Sequence, residues 1–287
     1  MKSNRFILGT VQFGLHYGIN NTNGQPSNGE VSDIFHCAYD NGLKQLDTAD
    51  AYGDAQSLIG SFIETTGKSF EINTKFHVSN GHTISAQLIQ ALDKLKVDHI
   101  HTYFYHRFED LRKEPNTLVE LKSLRDQKKI NKIGVSVYSN GEFEASINTP
   151  EIDVIQFPFN LLDNYTKRGV LMQRAKLKGK ELQVRSIFLQ GLFFKTDALP
   201  EVIRPLTKYL SSLKEMASSN NLSMFDLALG YALSKEEIDS VIIGVDTKEQ
   251  LAVNLTSSEK ALNQSLISNI DSIDVKEEAL LYPYNWK

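Results

Sequence analysis

The sequence predicts an α/β fold, a (β/α)8 TIM barrel with an eight-stranded parallel sheet, and three observations carry that expectation. Eight short apolar runs alternate with helical patterns along the 287 residues, which is the signature of repeated βα units. Polar residues punctuate the ends of successive runs at steps of about 30 residues, close to the length of one βα unit. The glycine-rich fingerprint expected in the first turn of an open doubly wound sheet is missing, since no GxGxxG occurs in the chain. At this length a single barrel domain spanning 1–287 is the expected organisation.

Phe6–Leu8 reads as the first strand, followed by Gly9-Thr10-Val11-Gln12-Phe13-Gly14. A loop then runs to Asn28 and contains His16-Tyr17-Gly18 and Asn20-Asn21-Thr22-Asn23-Gly24. It is longer than an ordinary βα connection, and such loops are often functional. Val31–Asp40 follows as a helix, Lys44–Leu46 as the second strand and Ala55–Glu64 as the next helix. Glu71–Thr74, Ile100–Tyr105 and Lys132–Val135 are the third to fifth strands, with helices at Ala86–Leu95 and Thr117–Gln127 between them. Val154–Phe157 and Glu181–Arg185 flank a helix at Tyr165–Lys178. A second long insertion, Gly191 to Ser219 with a helical second half, precedes the eighth strand, Ser240–Ile243.

Composition narrows the function classes. The net charge of −4, with no basic block, argues against a nucleic-acid or anionic-membrane surface. One cysteine, Cys37, excludes an intrachain disulfide and disfavours a Cys-based metal site; it falls in an apolar-periodic stretch where core packing is the expected role. The N-terminal segment has no signal-peptide core, and no apolar run approaches the roughly 18 residues of a membrane helix. A cytoplasmic enzyme is the expectation. No heptad or large apolar patch assigns an oligomeric state.

The chemistry-bearing residues stand at strand ends. Asp47 follows the second strand and Tyr52 a turn later, within Leu46-Asp47-Thr48-Ala49-Asp50-Ala51-Tyr52-Gly53. Lys75 closes the third strand and His106 the fourth. A phenol is protonated at neutral pH, and a nearby ammonium favours its phenolate and eases proton transfer. A carboxylate would keep that ammonium charged, and a neutral imidazole can hold a carbonyl oxygen as charge develops there. The four suit protonation of a nascent alkoxide, and they imply a separate hydride donor.

These segments, with Ile133-Gly134-Val135-Ser136, Ile155-Gln156, and Val241-Ile242-Ile243-Gly244 followed by Gln250-Leu251 and Asn254, resemble the aldo-keto reductase superfamily in order along almost the whole chain. The resemblance implies a metal-independent barrel that reduces aldehydes or ketones with NADPH, NADH being the alternative. It makes Tyr52 the proton donor, Lys75 and Asp47 its tuning pair, and His106 the carbonyl orienter. Ser136 and Gln156 would hold the nicotinamide carboxamide, Thr10 and Val11 would line the cofactor, and Ser186, Leu189 and Gly191 would follow its pyrophosphate. Gly244, Gln250 and Asn254 would lie along the adenosine. The chain departs from the family pattern at Val137, at Arg185, where an aromatic residue commonly stacks on the nicotinamide, and at Gln250 and Val253. Lys248 is the nearby cation that could replace the missing arginine at a 2′-phosphate.

Other readings stand beside these. Asp47 alone could be a turn or cap residue. His99 and His101 form an HxH pair, but they share one strand face while His106 points to the other, which disfavours a metal site. His77 and His82 read as loop histidines. Tyr231 and Lys235 have a YxxxK spacing that reads as coincidence. Phe13, Tyr17 and Trp286 are candidates for a substrate-pocket wall. The substrate is a small-molecule carbonyl, with a sugar-like one conceivable. The rival functions are a cofactor-binding regulatory barrel with little turnover and a metal-dependent hydrolase.

Overall fold

The structure, a computed structural model, describes residues 5–19, 21, 24–78, 82–257 and 261–286. Residues 1–4 of the N-terminal segment, and Asn20, Thr22 and Asn23 of the polar cluster, lie outside the described residues. Eight strands close into a barrel in sequence order: β1 (Phe6–Gly9), β2 (Gln45–Asp47), β3 (Glu71–Phe76), β4 (Ile100–Tyr105), β5 (Ile130–Ser136), β6 (Val154–Pro158), β7 (Glu181–Arg185) and β8 (Ser240–Gly244). All eight neighbouring pairs are parallel, and β1 pairs with β8 through Phe6↔Val241 to Gly9↔Gly244.

The strands run slightly past their sequence-predicted ends, and the difference matters at the site. Asp47 and Lys75 are in register with Asn73 and Phe104, so both belong to the ladder and do not merely follow it. Their backbones are therefore fixed by hydrogen bonds on both sides. Alternate strand residues face outward and pack under the helices, as Leu8, Leu46, Ile72, Tyr103, Ile133, Ile155, Leu182 and Val241 do. The others fill the barrel. Phe104 lies inside, where a Cβ at Gly134 would approach its ring to 2.4 Å, so glycine makes room for the phenyl group.

The helices start on sequence signals. Asn28–Asp40 begins on a reciprocal cap between Ser27 and Glu30, and Ile84–Leu95 begins on the Thr83 hydroxyl. The insertion after β7 has two 3₁₀ segments, Leu189–Phe194 and Glu201–Leu206, before the helix Thr207–Ser219. No helix among the described residues is long and apolar enough to cross a membrane.

Candidate active site

The carboxyl ends of the strands are stitched together by main-chain bonds that continue the barrel into its loops. Thr10 N–H and its hydroxyl both donate to Asp47 O at 3.0 Å, and Thr48 N–H donates to Asn73 O at 2.9 Å. Asp50 N–H donates to Lys75 O at 3.1 Å and His106 N–H to Phe76 O at 2.9 Å. These bonds hold the ends of β1 to β4 in fixed relation, and with them Asp47, Lys75 and His106.

Tyr52 is placed by close backbone contact. A Cβ at Gly14 would lie 1.7 Å from Tyr52 O, and one at Gly53, whose φ is +53°, would lie 2.3 Å from Gly14 O. Only glycine at both positions lets the first loop press directly on the Tyr52 turn.

At the centre lies a buried ion pair. Lys75 is 2% exposed and Asp47 3%; the ammonium donates to one carboxylate oxygen of Asp47 and to Thr48 O at 3.1 Å. Gln156 Nε2 donates to the other Asp47 oxygen at 2.8 Å, which leaves Gln156 Oε1 buried with no partner among the described residues. The ammonium lies 5.3 Å from the Tyr52 ring centroid, and the Tyr52 and His106 rings meet edge to face at 5.8 Å. His77 stacks on His106 at 4.5 Å.

Burial controls the protonation states. It pushes the Tyr52 phenol well above its ordinary range, with the Asp47 carboxylate adding to the rise and Arg185 opposing it. Burial lowers the Lys75 ammonium, against the raising effect of Asp47. His106 is pushed down to about 2 by burial and then by the charge on Lys75, so it is neutral at physiological pH. The expectation of a lowered Tyr52 pKa is therefore corrected for this state: desolvation of the phenolate dominates, and the Asp47 carboxylate adds to it.

These groups line one end of a cavity of about 1300 Å³. Asp47, Tyr52, Lys75 and His106 all face it. Of the residues expected along a dinucleotide, Thr10, Val11, Ser136, Gln156, Ser186, Gly191, Gly244, Gln250 and Asn254 also line it. Two do not. Leu189 is fully buried under the insertion, its side chain taken up by the core. Lys248 reaches outward to Asp33 at 3.4 Å, because its helix packs against Asn28–Asp40. Lys248 therefore does not line the cavity in this structure.

Sequence reasoning missed several lining residues, among them Gln12, Tyr138 and Phe188. Tyr138 had a readable signal, standing two positions beyond Ser136. Of the candidate pocket aromatics, Tyr17 lines the cavity and its hydroxyl accepts from Gln190 Nε2 at 3.2 Å, with burial raising it to about 12. Phe13 is buried against Phe35, and the Trp286 indole donates to Leu280 O at 2.8 Å; Tyr284 is the tail residue on the wall.

The alternative motifs resolve elsewhere. His101 pairs with Glu71 at 3.7 Å, at the amino end of the barrel, and His99 is exposed. Asp50, His77 and His106 bring possible ligand atoms within 4.8 Å of one another, although His106 is also a wall of the reacting end. Tyr231 and Lys235 both bond Asp271, away from the cavity, so their spacing serves packing. Cys37 is half-buried, with burial raising its thiol.

Comparison with known proteins agrees with this geometry. The sequence profile of the aldo/keto reductase family matches residues 5–275. The chain is 29% identical over 251 residues to aldo-keto reductase YhdN of Bacillus subtilis, covering 76% of each protein. It is 23% identical over 278 residues to an L-glyceraldehyde 3-phosphate reductase of Escherichia coli O157:H7, covering 82% of this chain and 79% of that protein. Its fold is shared with the holo form of aldo-keto reductase AKR11C1 from Bacillus halodurans, with a TM-score of 0.77 and 19% identity over 95% of this chain and 94% of that one. The chain belongs to the aldo/keto reductase family.

Proposed function

We propose that this member of the aldo/keto reductase family reduces an aldehyde or ketone to an alcohol, with Tyr52 as the proton donor and a nicotinamide dinucleotide as the reductant. The observation that supports it most is the convergence of Tyr52, His106 and the Lys75–Asp47 pair on one end of a cavity large enough for a dinucleotide and a small substrate.

The residues fit the cofactor. Gln156 Oε1, beside Ser136, is a buried acceptor without a partner among the described residues, which suits the amide of a nicotinamide. Asn254 Oδ1 and Gln12 Oε1 are buried without partners among the described residues, and both residues line the same cavity, acceptors for polar groups further along a dinucleotide. When bound, the reduced nicotinamide supplies a hydride.

The side chains do the rest. His106, neutral, has one N–H to donate to a carbonyl oxygen and thereby orients the carbonyl. As negative charge grows on that oxygen, the Tyr52 phenol transfers its proton to it. Lys75 stabilises the phenolate left behind, and Asp47 and Gln156 hold the ammonium and carboxamide in register. Lys248 pairs with Asp33 at the surface, and Gln250 and Asn254 line the cavity where the choice between NADPH and NADH would be made.

The test is oxidation of NADPH and NADH with a panel of aldehydes and ketones. Tyr52→Phe should lower kcat by about 10²- to 10⁴-fold while leaving cofactor fluorescence quenching intact. Cofactor binding without turnover on any carbonyl would favour a sensing barrel instead, and full activity in Tyr52→Phe would remove the assigned proton donor.

A further inference from the structure

The reacting end of the cavity carries a cation whose hydrogen-bonding capacity is mostly unspent. Arg185 closes β7 and lies over the ring of Tyr138, its guanidinium carbon 4.3 Å from the ring centroid. Its terminal nitrogens donate to Val137 O at 3.3 Å and Ser186 Oγ at 3.4 Å, both long for such bonds. A guanidinium has five N–H donors. Among the described residues no carboxylate pairs with it.

Neighbouring arginines show what a structural role looks like. Arg168 is gripped by both Asp163 oxygens at 2.7 Å, by Asn140 at 2.8 Å and by Tyr138 O at 2.6 Å. Arg5 gives its donors to the carbonyls of Leu233, Lys235 and Ile238. Arg185 has no such set. Its platform is nonetheless rigid: Arg168 fixes the Tyr138 carbonyl, and Tyr282 and Tyr284 meet the Tyr138 ring edge-on at 5.7 and 5.2 Å.

The acids around the reacting end are occupied, Asp50 beside His77 and His106 accepting from the Ala51 and His77 backbone. Asp47 serves Lys75 and Gln156, Glu142 accepts from the Tyr138 and Ser139 amides, and Glu109 pairs with Arg112. Asp246 and Glu249 line the cavity beyond the end of β8. Arg107, next to His106 on the rim, lines the cavity too and has no ion partner among the described residues.

We propose that Arg185, assisted by Arg107, forms a subsite for an anionic substituent, a carboxylate or phosphate, on the carbonyl substrate. A planar guanidinium stacked on an aromatic ring is suited to bidentate pairing with either group. Anchoring the charged end of a small substrate there leaves its carbonyl to Tyr52 and His106, so binding energy from a remote group orients the reacting one. This rests on the reading of the site as a carbonyl reductase.

The experiment has two arms. In the first, kcat/KM is measured for the pairs butanal and succinic semialdehyde, and glyceraldehyde and glyceraldehyde 3-phosphate, in the parent, Arg185→Gln and Arg185→Lys. The parent should prefer the charged member, and that preference should fall about ten- to a hundredfold in the glutamine variant and less in the lysine variant. In the second, calorimetry measures succinate and inorganic phosphate binding to the parent and to Arg185→Gln, without any turnover. Binding should weaken at least about tenfold in the variant. Equal reduction of neutral and charged partners, or anion affinity unaltered by the substitution, overturns the subsite. So does a large loss of NADPH affinity in Arg185→Gln with the substrate preference retained, because the guanidinium then serves the cofactor's phosphate. Anion binding that depends on Arg185, in a protein that reduces no carbonyl, upholds the subsite and defeats the reductase reading instead.

Discussion

Lys75→Met isolates the energetics of the buried pair from its chemistry. Asp47 is 3% exposed, and in the parent its two oxygens take the Lys75 ammonium and the Gln156 amide. Methionine keeps most of the lysine volume but removes the cation, leaving a buried carboxylate with one neutral donor. Breaking such a pair from one side costs about 3–5 kcal/mol, because the remaining charge is uncompensated. In Asp47→Asn/Lys75→Met both charges are gone and the asparagine oxygen can still accept from Gln156. That double variant should recover to within about 1–2 kcal/mol of the parent. Urea unfolding at unchanged m-value measures all three, while carbonyl reduction should stay depressed by about 10²-fold or more in every variant. A Lys75→Met protein that loses less than about 1 kcal/mol at pH 7 would show that water reaches Asp47, and the buried-pair argument would fall.

Two further outcomes follow from the geometry. His106 titrates at about 2 in the folded chain, so between that value and the ordinary 6.5 the unfolded chain binds the extra proton. Stability is therefore complete above pH 6.5 and falls below it, by at most about 1.4 kcal/mol per pH unit from this group. Urea midpoints from pH 7 to 4.5 should show a shallower loss in His106→Gln, and equal slopes in the two proteins would refute the assignment. At Gly14, a methyl group would meet Tyr52 O at 1.7 Å, so the two backbones must part by more than about 1 Å. Gly14→Ala should lower kcat about 100-fold through the displaced phenol while the barrel still folds, and an unchanged kcat would show that Tyr52 is not held by this contact.

The barrel was legible because each strand, buried on both faces, reads as an apolar run bounded by polar residues, and because the run order alone dictates parallel closure. Asp47, Tyr52, Lys75 and His106 were legible because each stands at a strand end or in the turn beyond, where local sequence determines position. Lys248 and Leu189 were not. Their surroundings come from distant segments: Asp33 draws Lys248 across 215 residues, and the core under the insertion claims Leu189. The Tyr138 platform was equally hidden, since it is assembled from the β5 turn, Arg168 and the tail tyrosines. The direction of the Tyr52 shift was misjudged for a related reason. A sequence shows which charges are near in the chain but not how much water each loses on folding, and here desolvation outweighs the ammonium.

On the proposed mechanism, a phenol held far above its ordinary pKa keeps its proton securely but is a reluctant donor, so its pKa must fall during the reaction. Lys75 has three N–H donors and spends two, on Asp47 and Thr48 O, with the Tyr52 ring 5.3 Å away. Among the described residues the third has no partner, and on the proposed mechanism it would meet the phenolate oxygen once the proton leaves. Burial that raises Tyr52 at rest also strengthens that ammonium–phenolate attraction, because little water screens it. On the proposed mechanism, the same exclusion of water would hold the phenol's proton until an alkoxide forms and would strengthen the attraction of Lys75 for the charge then left on Tyr52. Asp47, bound to Gln156 as well, keeps the ammonium in place.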